Sequence, residues 1–422
     1  MPAADVKRTI DAVWRIESAR LLAGLARIVR DVGLAEDLAQ EALVAALEQW
    51  PEAGVPDNPG AWLMATAKHR GIDRLRRADV QRRKTEELGR DMERRGEGDA
   101  PDFAAAAADP FDDDLLRLIF TACHPVLSVE ARVALTLRLL AGLTTKEIAR
   151  AYLVPEATVQ QRIVRAKRTL SAARVPIEVP ERGELPERLA AVLEAIYLIF
   201  NEGYTATAGG EWMRPELLEE GLRLGRMLAA LLPGEPEVHG LSALMELQAS
   251  RARARVGPGG AAILLLDQDR SRWDWMLIGR GLAALERAYA TGGAAGRYTL
   301  QAAIAACHSR ARKAEDTDWV SIVAIYDGLI QVAPSPVVEL NRAVAVGMAF
   351  GPALALRLVD DLAGEPALSG YHLLPTVRGD LLEKLGRPAD ARAEFERALT
   401  LTQNARERSV LLERIAAGSA RG

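Results

Sequence analysis

The chain has 422 residues, enough for several domains, and 49% of them are hydrophobic. No uninterrupted apolar run approaches the roughly 18 residues of a membrane-spanning helix, and the charged N-terminus lacks the apolar core of an export signal. The only cysteines are Cys123 and Cys307, too few for a disulfide framework and typical of a reducing compartment. We therefore expect a cytoplasmic protein without a membrane partner.

The net charge of −4 hides a strong local segregation of charge. Residues 68–84 carry eight Lys or Arg against two Asp, whereas residues 85–114 carry eleven Asp or Glu against three Arg. A phosphate responds to the local field and not to the average over the chain. An acidic protein with this pattern is therefore still a candidate for binding nucleic acid.

Apolar residues recur at helical spacing between residues 10 and 50 and predict helices there. In the second of these, the apolar positions are expected to include Val44 and Leu47. A polar face beside an alanine-rich stripe is formed by Glu36, Asp37, Gln40 and Glu41. Such a face is usually only solvated, and alone it is weak evidence for a protein contact. The prolines and glycines of residues 51–60 predict a loop.

A basic amphipathic helix is predicted for residues 61–77. Trp62 and Leu63 belong to its apolar side, and the outward side carries Lys68, His69, Arg70, Arg74, Arg76 and Arg77. The apolar side is too short for a helix that lies on a membrane, so phosphate backbone is favoured. Trp62 suits base stacking, although a tryptophan at helical spacing is more often part of the core. The next residues, to 114, have little bulky apolar content and suit a mobile tether.

Residues 143–170 predict a helix-turn-helix. Thr144 or Thr145 is suited to cap its first helix, and Pro155 fits the first turn of the second helix. Val159 and Ile163 are expected to face the first helix, which leaves an outward face of Thr158, Gln160, Gln161, Arg162, Arg165, Lys167 and Arg168. Glutamine amides pair with adenine edges, and the basic side chains reach phosphates or guanines. The alternative is a helical hairpin with a solvated basic face.

Three blocks together resemble the extracytoplasmic-function (ECF) group of bacterial RNA polymerase sigma factors: AEDLAQEALVAAL, NPGAWLMATAKHRGIDRLRR and TVQQRIVRAKRTL. The resemblance implies that the first block docks on core polymerase through Asp37, Gln40 and Glu41. It implies that the second block opens and reads the −10 element through Asn58, Lys68, Arg70, Asp73, Arg74 and Arg77. The third block resembles the reader of the −35 element.

Cys123 and His124 are adjacent in the segment that precedes the helix-turn-helix. No second pair at zinc-like spacing accompanies them, so we expect a partly buried thiol and imidazole and no metal.

The chain after residue 180 is predicted to be helical almost throughout, with eleven periodic runs between residues 187 and 416. In the last part, Leu381, Leu382, Leu385 and Gly386 precede Ala391, Phe395, Ala398 and Leu399. This spacing resembles a tetratricopeptide helical pair, and stacked pairs of that kind generally bind a peptide or protein segment.

Three stretches of this tail are unusually polar. They contain Asn201, Glu202, Tyr204, Asp267, Asp269, Arg270, Arg272, Trp273, Asp274, Asp318 and Trp319. A small-molecule pocket, even a catalytic one, would use such groups. We favour the alternative, a network of charge pairs and helix caps that fixes the packing.

The sequence thus predicts an all-α protein with residues 1–80 as a sigma region 2 domain, 81–114 as a flexible acidic linker, 115–175 as a sigma region 4 domain and 180–422 as a tetratricopeptide-like regulatory domain. It resembles the ECF subgroup with a long C-terminal extension. The expected partners are core RNA polymerase, promoter DNA and a protein or peptide for the tail, with no cofactor and no catalysis. The alternative is a helical enzyme or ligand sensor with a DNA-binding head.

Overall fold

The computed structural model describes residues 3–71, 111–206, 213–257, 263–402 and 404–419. They divide into two compact units, Met1–Ala195 and Ile196–Gly422. The described ranges consist of α-helices, short 3-10 turns and irregular connections, without a β-strand. The expected all-α class is confirmed.

Within the described residues, unit 1 contains seven helices and the first half of an eighth. They are α1 (Ala3–Val29), α2 (Val32–Ala53), α3 (residues 59–71), α4 (Phe111–Ala122), α5 (Val129–Leu139), α6 (Thr145–Tyr152), α7 (Glu156–Ala172) and α8 (Leu185–Tyr204). α1 packs against α2 and α4, and α5 packs against α7. Leu25, Leu38, Trp50, Leu63 and Phe120 are among its fully buried side chains.

The N-terminal helices differ from expectation at the loop after α2. That helix continues through Pro51 to Ala53, and Gly54 with a φ of 86° ends it. Trp50 is only 1% exposed and contacts Trp62 of α3 edge to face, with ring centroids 5.3 Å apart. This anchored indole holds the last turn in the core although a proline follows it. The loop is therefore shorter than the predicted 51–60.

The predicted linker extended too far towards the C-terminus. α4 begins at Phe111, inside the predicted 81–114, and Asp114 is 3% exposed. Its Oδ1 lies 2.7 Å from Nε of Arg27 and 2.8 Å from Nη1 of Arg117. This acid is buried because it joins two guanidinium groups, a contact that composition does not reveal. Residues 81–110 lie outside the described part of the chain.

Unit 2 continues from the second half of α8. Its helices are α9 (Pro215–Leu231), α10 (Pro236–Ala249), α11 (Trp275–Ala290), α12 (Arg297–Arg310), α13 (Trp319–Val332), α14 (Pro336–Phe350), α15 (Pro352–Asp361), α16 (Leu373–Lys384), α17 (Pro388–Leu401) and α18 (Ala405–Ser419). Most helices pack on the one that precedes them. The periodic runs of the sequence are confirmed as helices, except that the run to residue 256 ends at Ala249 and a 3-10 turn follows.

The predicted late helical pair is α16 and α17. Phe395 is 2% exposed, and a Cβ added at Gly379 would lie 2.6 Å from its ring. The small residue thus lets the two helices approach closely. Gly386, with a φ of 72°, makes the tight turn between them. Leu385, by contrast, is 37% exposed and not part of the core.

Candidate nucleic-acid interface

The helix-turn-helix is formed by α6 and α7. Thr144 Oγ1 accepts a hydrogen bond from the backbone N–H of Glu147 at 3.2 Å, and the Glu147 carboxylate accepts one from the backbone N–H of Thr144 at 2.8 Å. This capping box fixes where α6 begins. Burial alone would raise the pKa of Glu147, but the bonds from Thr144 lower it overall. Leu153, in the left-handed region with a φ of 50°, makes the bend before α7.

α7 turns its apolar residues towards the core and its polar residues outward. Val159 is 1% and Ile163 5% exposed, and α6 packs directly against α7. The outward residues Gln160, Gln161, Arg165 and Arg168 are exposed, while Thr158 and Arg162 are half-buried. Of the seven α7 residues predicted to contact DNA, six therefore lie on the open side of the helix.

Lys167 is the exception, because its ammonium pairs with the carboxylate of Glu36 on α2. The same carboxylate accepts a hydrogen bond from Nε of Arg138 at 2.6 Å. Glu36 is 7% exposed, so its predicted place on a solvated face is wrong. Burial alone would raise the pKa of Glu36, but Lys167 and Arg138 lower it overall. In this arrangement Lys167 is held by a carboxylate and is not presented to a phosphate.

The outer face of α2 combines acidic, amide and apolar groups. Asp37 is exposed, and Gln40 and Glu41 are half-buried. Val44 and Leu47 are apolar positions at helical spacing, yet they are 47% and 41% exposed and do not belong to the core. Helical spacing brings Asp37, Gln40, Glu41 and Val44 onto one face. The face therefore presents charged, amide and aliphatic groups together.

α3 presents part of the predicted −10 reader. The side chain of Asn58 accepts a hydrogen bond from the backbone N–H of Ala61 at 3.0 Å and so caps the helix. Lys68 and Arg70 are half-buried, and a guanidinium nitrogen of Arg70 lies 3.9 Å from the carboxylate of Glu41. Asp73, Arg74 and Arg77 lie outside the described residues. Trp62 is half-buried against Trp50, which fits its core interpretation.

The neighbouring Cys123 and His124 have separate structural roles. Cys123 is 1% exposed, so the thiol is fully and not partly buried. Its Sγ lies 3.3 Å from Oγ1 of Thr136. Burial raises the pKa of this thiol to about 11. His124 accepts a hydrogen bond from the backbone N–H of Val126 through Nδ1 at 3.1 Å. Within the described ranges, no group of three His, Cys, Asp or Glu is placed to hold a metal ion.

Several acids of the polar tail stretches cap helices. Asp274 accepts hydrogen bonds from the backbone N–H groups of Met276 and Leu277 at the start of α11. Asp318 caps α13 through Ser321, and Asp269 accepts from the backbone N–H of Ser271 in a short 3-10 turn. Glu202, with 8% of its side chain exposed, pairs with Arg214 at 2.9 Å. Asp267 is exposed, and Asn201 is half-buried.

Arginines and aromatic rings of the same stretches tie helices together. Arg270 donates to the backbone carbonyls of His308 at 2.7 Å and Ala311 at 2.6 Å, and its guanidinium lies 4.7 Å from the Trp273 ring centre. Arg272 donates a hydrogen bond to the backbone carbonyl of Arg253 at 2.6 Å. The guanidinium of Arg255 lies over the Tyr204 ring. The Trp319 ring contacts the His308 ring edge to face. These contacts match the predicted packing network better than an active site.

Comparison with known families divides the chain as the motifs do. Residues 16–80 match the family model for Sigma-70 region 2 and residues 117–170 that for Sigma-70 region 4. Residues 188–289 match a family of unknown function, DUF6596. The fold and these matches define the chain as a bacterial sigma factor.

One relative spans nearly the whole chain, and two others match less than half of it. An uncharacterized protein of Rhizobium meliloti is 46% identical over 390 residues, covering 92% of this chain and 90% of that protein. The probable ECF RNA polymerase sigma factor SigI of Mycobacterium tuberculosis is 29% identical over 174 residues, covering 40% of this chain and 57% of SigI. The ECF RNA polymerase sigma factor SigC of the same organism is 28% identical over 173 residues, covering 41% of this chain and 83% of SigC.

The chain belongs to the ECF sigma factors and carries a long C-terminal extension. It is a promoter-specific sigma factor, and its partners are therefore core RNA polymerase and promoter DNA. No solved structure matches the chain significantly. Among the helices of the described residues, none is long and apolar enough to cross a membrane.

Proposed function

We propose that the outer face of α2 docks on core polymerase, that α3 reads the −10 element and that α7 reads the −35 element. The observation that carries the proposal is the geometry of α7. The start of α6, the helix before α7, is fixed by its capping box, and Val159 and Ile163 of α7 are buried. These contacts fix the rotation of α7 about its axis, so Gln160, Gln161 and Arg165 face outward. A helix held in this way presents amides for adenine edges and guanidinium groups for phosphates or guanines.

The docking face of α2 is proposed on its chemistry. Asp37 and Glu41 supply charge, Gln40 supplies an amide, and the exposed Val44 and Leu47 supply apolar area. Polar groups around aliphatic side chains suit a specific contact with a basic protein surface. The polar groups give specificity, and the aliphatic groups give contact area.

Promoter binding requires the two readers to separate. Elements centred near −35 and −10 are about 25 base pairs apart, which is about 85 Å at 3.4 Å per pair. In this structure Lys167 of α7 touches Glu36 of α2. A chain that keeps this contact cannot place α3 and α7 on both elements at once, so the arrangement described here is proposed to be a resting form that opens.

For unit 2 we propose a regulatory role, with a protein or peptide partner and no chemistry of its own. Its polar stretches supply helix caps and ion pairs, as Asp274, Asp318 and Glu202 illustrate. Groups engaged in this way stabilise packing and are not arranged for acid–base catalysis. A cytoplasmic location follows from the proposed partnership with polymerase.

The decisive experiment is transcription by purified core polymerase on a promoter pool. The wild-type chain is expected to produce a defined set of transcripts. A Gln160→Ala, Gln161→Ala variant is expected to lose selectivity at the −35 element, because each bidentate amide contact discriminates by about 1–3 kcal/mol. Gln301→Ala, which changes a half-buried glutamine of α12 in unit 2, is the control. Unchanged transcripts from the double variant would show that α7 does not read the −35 element.

A further inference from the structure

A cavity of about 740 Å³ lies inside unit 1, between the parts that match sigma region 2 and region 4. Its walls come from the end of α1, the start of α2, α4, the end of α7 and the chain that follows α7. Small-molecule sites typically measure roughly 300–1,000 Å³. The cavity thus has the volume for one nucleotide-sized ligand, and it exists only while region 4 rests on region 2.

The lining is strongly basic. Five cations line the cavity, namely Arg27, Arg30, Arg117, Lys167 and Arg174, against the two acids Asp31 and Glu178. Asp31 is engaged in capping α2 through the backbone N–H of Leu34. Arg27 and Arg117 share Asp114, and Lys167 pairs with Glu36. Arg27 and Arg117 together carry one positive charge more than Asp114 neutralises, and the two remaining arginines, Arg30 and Arg174, add to it.

Arg30 and Arg174 share an unusual backbone position. Both follow the end of a helix, α1 and α7 respectively, and both are in the left-handed region, with φ of 53° and 49°. Glycine or asparagine is preferred there, because other side chains are strained. Both side chains are exposed, and across the described part of the chain no ion pair is found for either. Two strained arginines, one from each sigma region, thus line the same cavity.

The rest of the lining complements these charges. Leu170, Val175 and Ile177 form an apolar wall, and Thr121 and Ser171 contribute hydroxyl groups. Guanidinium groups bind phosphate through paired hydrogen bonds. An apolar wall beside them accommodates a ring or a short carbon skeleton. The combination suits a phosphorylated small molecule better than a bare anion.

We propose that this cavity binds a phosphorylated small molecule with the size and charge of a nucleoside diphosphate, held between Arg30 and Arg174. The ligand joins region 2 to region 4 and therefore stabilises the resting form. Building on the sigma-factor role proposed above, ligand binding is expected to oppose promoter binding. The phosphates of a DNA backbone could bind the same guanidinium groups. The experiment therefore distinguishes a small phosphorylated molecule from DNA.

The test uses the full-length chain and ADP, with inorganic pyrophosphate as a second probe, in titration calorimetry at constant ionic strength. Arg30→Gly with Arg174→Gly removes both side chains and suits the positive φ at each position, so folding is preserved. Arg165→Ala with Arg168→Ala is the matched control, since both arginines are exposed on α7 and neither lines the cavity.

We expect saturable binding of ADP at one site per chain. The glycine pair should weaken it by about tenfold or more, equivalent to about 1.4 kcal/mol, and the control should leave it unchanged. With duplex promoter DNA, the glycine pair should leave binding unchanged, and the control with Arg165→Ala and Arg168→Ala should weaken it. Absence of saturable binding, or equal losses in both double variants, would overturn the proposal. Because neither polymerase nor DNA is present in the ADP titration, its result is independent of the sigma-factor assignment.

Discussion

Lys167, on the helix proposed to read DNA, forms an ion pair with the buried Glu36 of α2. Glu36 immediately precedes Asp37, the first residue of the proposed polymerase-docking face. One carboxylate therefore links the helix proposed to read DNA to the helix proposed to dock on polymerase. Under this proposal, the contact breaks when the two sigma regions separate on a promoter.

Neutralising Glu36 is expected to favour the open form. Glu36→Gln leaves Arg138 and Lys167 without their shared charge, and breaking a buried pair costs about 3–5 kcal/mol. The melting temperature should fall, while promoter affinity in the presence of core polymerase should rise. Asp37→Asn, next to it but exposed, is the control for the change in stability. A variant that melts as wild type would show that the pair does not hold the regions together.

The same pair predicts how stability depends on pH. Because the folded pKa of Glu36 lies below its ordinary value of 4.5, the pair contributes its full stabilisation above that pH. The contribution is lost as pH falls from 4.5 through the folded pKa. Denaturation by urea between pH 3 and pH 7 should show a steeper acid loss in wild type than in Glu36→Gln. Parallel curves would contradict this assignment.

The exposed arginines of α7 are expected to contact phosphates. Each phosphate contact contributes about 0.9 to the slope of log affinity against log salt. Arg165→Ala with Arg168→Ala should weaken promoter binding at low salt and reduce that slope, as fluorescence anisotropy of labelled promoter DNA would measure. Lys313→Ala, at an exposed position in unit 2, is the control. An unchanged slope would place the phosphate contacts elsewhere.

Two helical glycines should respond oppositely to alanine. A Cβ added at Gly379 would lie 2.6 Å from the Phe395 ring, whereas a Cβ added at Gly279 of α11 would have no atom within 4 Å. Overpacking costs about 1–3 kcal/mol, and alanine gains about 1 kcal/mol over glycine in a helix. Urea unfolding should show Gly379→Ala destabilised and Gly279→Ala slightly stabilised. Stabilisation of both would mean that Phe395 moves aside freely.

Cys123 is expected to be unreactive in the folded protein. Its thiol is buried and its pKa is raised to about 11, and the thiolate is the reactive form. In a Cys307→Ser variant, iodoacetamide at pH 8 should therefore modify Cys123 only after urea is added, as mass spectrometry would report. Rapid labelling without denaturant would show that the α4–α5 region opens readily.

His308 should make unit 2 sensitive to acid. Burial lowers its pKa to about 3, with Arg251 and Arg270 adding to the shift. Its folded pKa is below the ordinary 6.5, so its stabilisation is present above pH 6.5 and is lost as pH falls towards 3. His308→Gln should flatten this loss in thermal melts, and His69→Gln on α3 should not. Titration of His308 near pH 6.5 by NMR would refute its burial.

The helices and the helix-turn-helix follow from local pattern. Apolar spacing predicts nearly every helix of unit 2 within a few residues, and it predicts the inward Val159 and Ile163. The sequence predicts a cap at Thr144 or Thr145, and the structure shows that it is Thr144. These features depend on residues three or four apart, so the sequence contains them directly. The six outward residues of α7 were predictable for the same reason.

The sequence by itself determined the helical class, the order of the sigma regions and the outward face of α7. Only the tertiary structure decided that Glu36 is buried, that Val44 and Leu47 are exposed and that Asp114 belongs to a helix. The Glu36–Arg138 bond joins residues 102 positions apart, and the Arg27–Asp114 bond joins residues 87 positions apart. Local periodicity cannot encode which distant charge will meet a side chain, because the meeting depends on how whole helices pack.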